Sequence, residues 1–112
     1  MLVAELKKEI VGFCRFEKKD PKTMYINFIL VDEYCRKRGT GKLLALAAMN
    51  TFNSVTECKF RALAHEKFIN DLYSKQGCKQ KGTVALDPNT GKISTEPNAF
   101  ITHFDYSYEI KK

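Results

Sequence analysis

Arg36-Lys37-Arg38-Gly39-Thr40-Gly41 lies between an apolar run that ends at Val31 and an amphipathic run that begins at Leu43. That order predicts a strand, a glycine-rich turn and a helix. Glycine lets the backbone come close to an anion, and the first amides of the following helix aim N–H groups and a positive dipole end at it. Arg36, Lys37, Arg38 and Lys42 add formal charge to the same place. Short glycine motifs recur by chance, so the flanking order has to support the reading of a phosphate cradle.

Upstream, Met24-Tyr25-Ile26-Asn27-Phe28-Ile29-Leu30-Val31 is apolar except at Asn27, which suits a central strand covered on both faces. Ile10 to Phe16 and Leu2 to Leu6 read as two more strands, turning through Lys7-Lys8-Glu9, and Lys18 to Lys22 as a polar turn into the long strand. Downstream, Leu43 to Phe52 has helical spacing, and Lys59 to Ala64 is a short strand. Glu66 to Gln76 forms a second helix, with Gly77 as its left-handed terminator. Thr83 to Leu86 reads as a strand, followed by a turn over Asp87 to Lys92 and an extended loop. From Phe100 to Ile110 apolar and polar residues alternate, which predicts an antiparallel strand with one wet face.

A chain of 112 residues builds one core, so a single domain over residues 1–112 is expected. With 44% hydrophobic and 29% charged residues it has the balance of a folded protein. The net charge of +6 points to an anionic ligand or partner. A nucleic-acid stripe is the weaker source of that charge, because the lysines are scattered and no nucleic-acid motif accompanies them. Cys14, Cys35, Cys58 and Cys78 contain no C-x-x-C pair, and there are two histidines, so no metal site is expected. The start, Met1-Leu2-Val3-Ala4-Glu5, meets charge at once and lacks the apolar core of a signal peptide. The expectation is a cytoplasmic protein with reduced thiols and no membrane span.

The Arg-x-x-Gly-x-Gly spacing closely resembles the pyrophosphate motif of the GNAT superfamily of acetyl-CoA-dependent N-acyltransferases. Ile10-Val11-Gly12-Phe13 looks like that family's "iVGf" strand, Val31 takes the valine position before the loop, and Leu72-Tyr73-Ser74-Lys75-Gln76-Gly77 resembles "fYeklGF". The resemblance implies an α/β (α+β) fold, a mixed and mostly antiparallel twisted sheet of about six strands with two main helices. It covers residues 3 to 110, and the family's first strand and two helices have no counterpart, so the domain is N-terminally abbreviated. Glu66 stands where the family often has Asn, and Cys78 replaces the usual Phe after Gly77.

The resemblance implies an N-acetyltransferase that uses acetyl-CoA as cosubstrate. Arg36, Lys37, Arg38, Gly39, Thr40, Gly41 and Lys42 would hold the pyrophosphate. The main chain of Ile29, Leu30 and Val31 would pair with the pantetheine arm and supply an amide to the thioester carbonyl. Tyr73 is the candidate general acid, since a phenol of reference pKa about 10 stays protonated at neutral pH and can give a proton to a departing thiolate. The base is less clear. Residues 24 to 31 contain no carboxylate, Asn27 can order a water, and Asp32, Glu33 and Glu66 are the candidate carboxylates near in sequence.

Three functions remain open on these residues: acetyl transfer to a primary amine by direct attack, a CoA-ester-binding sensor without chemistry, and a basic nucleic-acid-binding domain. The acceptor would be a small amine or a protein lysine or N-terminus. Missing N-terminal elements would leave sheet edge and apolar surface open, which favours a homodimer or a partner chain on that side.

Overall fold

The computed structural model describes residues 1–33 and 39–110. Six strands and two helices follow in the order β1 (Leu2–Leu6), β2 (Glu9–Asp20), β3 (Thr23–Val31), α1 (Thr40–Met49), β4 (Glu57–Leu63), α2 (Lys67–Lys75), β5 (Lys79–Val84) and β6 (His103–Glu109). The strands make one mixed, mostly antiparallel sheet in the order β1-β2-β3-β4-β6-β5, as expected. The chain divides into two compact units, Met1–Cys58 with the end from Ile110, and Lys59–Glu109. None of the described helices is long and apolar enough to cross a membrane.

In the first unit β1, β2 and β3 form an antiparallel meander. The β1–β2 hairpin turns on Lys7 and Lys8, both at positive φ, the backbone sign that two-residue hairpin turns require. The second hairpin turns later than the sequence suggests. β2 runs on to Asp20, whose carboxylate accepts the amides of Lys22 and Thr23 at 2.9 Å each. That side-chain bond closes a two-residue turn over Pro21 and Lys22, so Lys18 stays in the ladder opposite Met24 while Lys19 lies in β2 at a register irregularity.

Helix α1 packs its Leu44, Ala48 and Met49 inward, where Cys14, Met24, Val55 and Cys58 are also buried. It begins at Thr40, three residues before the apolar periodicity starts, because Thr40, Gly41 and Lys42 make the first turn without contributing to the apolar face. α1 covers one face of the meander. On the other, Phe28 is 50% exposed and Leu30 44%, with Phe13 stacked on Phe28 at 5.7 Å between ring centres. The expectation of a strand covered on both faces is therefore wrong for the second half of β3. A continuous apolar run records burial only when both faces find a cover.

In the second unit Phe60, Tyr73 and Tyr106 form a closed aromatic cluster with centre separations of 4.9, 5.4 and 5.4 Å. The Tyr106 hydroxyl donates to the Asn70 side-chain oxygen, and the Asn70 amide donates to the carbonyls of Leu63 and Glu66 at 2.9 Å. Asn70 thereby ties the start of α2 to β6. Gly77 ends α2 at φ 87, with its amide on Ser74 and that of Cys78 on Tyr73, the left-handed stop that the sequence indicates.

β5 starts at Lys79, immediately after this cap, and ends at Val84 rather than Leu86. β6 is shorter than its alternating pattern, and Ser107 on the polar side is buried as well as Tyr106, so the expected wet face is absent there. Phe100, at the head of the pattern, is instead exposed in the preceding loop.

Candidate functional site

In the first unit the candidate site is built from the end of β3 and the start of α1. Gly39 is the N-cap residue, with φ 81 and ψ 6, a conformation in which any side chain would be strained. The amides of Thr40, Gly41 and Lys42 open the helix and have no acceptor within it. Among the described residues no side chain caps them, and no acidic residue stands in the first turn. A helix start of this kind attracts an anion.

The two glycines do different work. A Cβ on Gly41 would lie 3.8 Å from the Val31 side chain and 3.9 Å from that of Ile29, ordinary contact distances, so this position faces the end of β3 with room for a methyl group. A Cβ on Gly39 would meet no described atom within 4 Å, and it is the backbone angle that favours glycine there. Ile29 and Val31 thus present their side chains to α1. Leu30, between them, pairs with Phe13 in the ladder and shares the opposite, open face. Arg36, Lys37 and Arg38 lie outside the described residues.

Asn27 occupies a β-bulge. Phe28 pairs with Arg15 and Ile26 with Phe16, so Asn27 is the extra residue without a cross-strand partner. Its side-chain amide donates to the Glu17 carboxylate at 3.3 Å, and the Lys19 ammonium lies 3.0 Å from the same oxygen. Lys19 first, and Asn27 after it, hold the Glu17 carboxyl below its ordinary range. Glu17 was not singled out from the sequence, because its distance from Asn27 depends on where the hairpin turns and on the bulge. The available signal was a carboxylate midway along a strand that had been read too short.

In the second unit Tyr73 is held edge-on by Phe60 and by Tyr106, and its hydroxyl has no hydrogen bond among the described residues. Burial, and then the neighbouring Cys78 and Tyr106, push its pKa above the ordinary phenol value. Burial raises the Cys78 thiol too. Glu66 is the exposed N-cap residue of α2. Its main chain does the structural work, since its carbonyl accepts from the Asn70 side chain and from the Asn70 amide, at 2.9 and 3.0 Å. The structure does not bring its carboxylate into any described contact with Tyr73.

An open glycine-headed helix after an apolar strand, in a sheet of this order, matches known proteins. Residues 1–78 fit the sequence model of the acetyltransferase (GNAT) family. The chain belongs to that family. Ard1 from Thermoplasma volcanium is 15% identical, with a TM-score of 0.78 over 98% of this chain and 70% of that one. A GNAT acetyltransferase from Elizabethkingia anophelis with acetyl-CoA bound is 20% identical, with a TM-score of 0.74 over 96% and 74%. The PaiA N-acetyltransferase of Thermoplasma acidophilum in complex with coenzyme A is 15% identical, with a TM-score of 0.73 over 96% and 58%. At these identities the likeness is one of fold. No curated protein matches the sequence. Of the described cysteines in this GNAT chain, Cys14 and Cys78 are free thiols.

Proposed function

We propose that this GNAT chain is an N-acetyltransferase that moves an acetyl group from acetyl-CoA to a primary amine by direct attack in a ternary complex. The observation that carries the reading is the start of α1, where left-handed Gly39 leads into first-turn amides that no described side chain caps, with no acidic residue in that turn. A pyrophosphate satisfies such amides. Acetyl-CoA and coenzyme A in two of the solved GNAT structures support the choice of anion. Thr40 and Lys42 join Gly39 and Gly41 in this role, with Arg36, Lys37 and Arg38 supplying charge from the preceding turn. The main chain of Ile29, Leu30 and Val31 is assigned to the pantetheine arm and the thioester carbonyl.

In the transfer, the neutral amine attacks the carbonyl, a C–N bond forms and the C–S bond breaks with its electron pair on sulfur. Tyr73 gives the thiolate its proton. The acceptor arrives as an ammonium of pKa about 10.4 if it is a lysine and loses one proton to solvent before attack; the nitrogen loses a second to solvent as the amide forms, and Tyr73 regains its proton from solvent. Glu17 and Asn27 are assigned to hold that ammonium at the bulge. Glu66 is the second carboxylate available.

Two variants test these assignments. Gly39→Val places a β-branched residue at φ 81 and displaces the first-turn amides, so acetyl-CoA affinity in calorimetry should fall by at least ~10-fold; unchanged affinity would remove the helix start from the binding site. Glu17→Gln should raise KM for the amine by about 10-fold, with kcat within about 2-fold, the split expected of a group that binds without reacting. An unmoved KM would return Glu17 to being a solvated partner of Lys19.

A non-catalytic CoA-ester sensor is the second reading, and one observation favours it. The carboxylate that Asn27 contacts is held below its ordinary range, which makes it a poor proton acceptor. Acetyl-CoA binding without amine-dependent release of free thiol, across polyamines and lysine peptides, would select this reading.

A further inference from the structure

Asn70 stands one turn before Tyr73 on α2, so the two share a face of the helix. Asparagine is a poor residue for a helix interior, because its amide competes for nearby backbone groups. Here that competition has a product. The Asn70 side-chain nitrogen donates to the carbonyls of Leu63 and Glu66 at 2.9 Å each, where β4 passes into α2. With the nitrogen committed, the amide can turn only its oxygen to β6, and that oxygen can only accept. The Tyr106 hydroxyl supplies the donor. Tyr106 is 3% exposed, so the bond takes the place of solvent for both groups.

The same Tyr106 ring walls in Tyr73. It stacks on Phe60 with 15° between the planes, and Tyr73 stands edge-on to both, at 62° to Tyr106 and 68° to Phe60. The Tyr73 hydroxyl has no hydrogen bond among the described residues, so these rings set the direction in which it points. We infer that Asn70 and Tyr106 are positioning residues: Asn70 fixes the Tyr106 ring, and that ring holds the Tyr73 hydroxyl in line for proton transfer. This rests on the acid role proposed above for Tyr73.

Tyr106 acts through its ring and not as a proton relay. Its proton is given to Asn70, and burial, followed by Cys78 and Asp71, keeps its pKa above the ordinary phenol value, so it remains a donor at neutral pH. A phenol oxygen lies at the far end of its side chain, and a misplacement of about 1 Å at a reacting group can cost about 100-fold in rate. Losing the anchor of one wall, with both rings still in place, should cost less, about 10-fold.

Tyr106→Phe keeps the ring and removes its anchor. With acetyl-CoA and the polyamine and lysine-peptide pool, kcat for thiol release should fall by about 10-fold, while KM for acetyl-CoA stays within about 2-fold. Asn70→Ala should do the same, and at a half-buried position it tests the same link if Tyr106→Phe does not fold. Combination with Tyr73→Phe decides the matter. A residue that works by aiming the Tyr73 proton has nothing left to aim once that hydroxyl is gone, so the double variant should be no slower than Tyr73→Phe alone; a purely structural role gives the product of the two losses. A loss that persists in the Tyr73→Phe background, or kcat within about 2-fold of the parent for both Tyr106→Phe and Asn70→Ala, overturns the positioning role and leaves the acetyltransferase reading standing. Absence of amine-dependent release from the parent overturns that reading itself, and Tyr73→Phe at the parent rate removes the acid; either takes this inference with it.

Discussion

Tyr73→Phe should lower kcat by about 100-fold while leaving acetyl-CoA affinity within about 2-fold of the unchanged protein, because general acid catalysis is ordinarily worth at least that factor. The variant removes one oxygen and little else. The ring stays clasped between Phe60 and Tyr106, and the lost hydroxyl has no hydrogen bond among the described residues, so stability should move by less than about 0.5 kcal/mol. Single-turnover thiol release separates the effect on chemistry from any on product release. Turnover within a few-fold of the parent would make Tyr73 a packing aromatic and take the acid role away from it.

The pH dependence should carry the same signature. A general acid works in its protonated form, so rate is lost as pH rises through its pKa. The Tyr73 pKa is raised by burial and by Cys78 and Tyr106, so this loss falls above the ordinary phenol value, at the alkaline end of the range. On the acid side the rate should climb with pH as the acceptor ammonium deprotonates. A descending limb near neutral pH that survives Tyr73→Phe would point to a different acid.

Most of the strand and helix order was legible because local chemistry settles it. Gly77 announces the end of α2, since a left-handed terminator favours glycine, and Gly39 announces the turn into α1 in the same way. What the sequence concealed depended on counting across strands. The carboxylate of Asp20 moved the β2–β3 turn towards Thr23, the bulge at Asn27 shifted the register, and the two together put Glu17 beside Asn27. None of these leaves a periodic trace. The exposure of Phe28 and Leu30 was hidden for a related reason: a strand's composition reports its preference for cover and not whether the chain supplies it. The phosphate-binding reading rests on backbone angles that glycine reveals directly, whereas the acceptor assignment rests on a cross-strand meeting that becomes visible only in three dimensions.

Gly12 is the position where one methyl group should cost most. It is a buried residue of β2, paired with Val31 on one side and Ala4 on the other. A Cβ there would lie 2.9 Å from the Leu30 carbonyl oxygen, 3.4 Å from the Leu44 side chain and 3.5 Å from the Val31 Cα. The nearest atom is backbone, so relief requires β2 and β3 to separate and cannot come from a rotamer change. Overpacking of this kind costs about 2–3 kcal/mol, which for a chain of this size lowers the melting temperature by roughly 10 °C. The displacement also has a functional consequence, because Leu44 anchors α1 over Gly12 and α1 presents the amides of Thr40 to Lys42; acetyl-CoA affinity should fall with stability. Leu44→Ala tests which contact dominates. If the Leu30 carbonyl does, Gly12→Ala combined with Leu44→Ala melts no higher than Gly12→Ala alone. Recovery in the double variant would mean that the helix side chain, and not the neighbouring strand, is what keeps residue 12 a glycine.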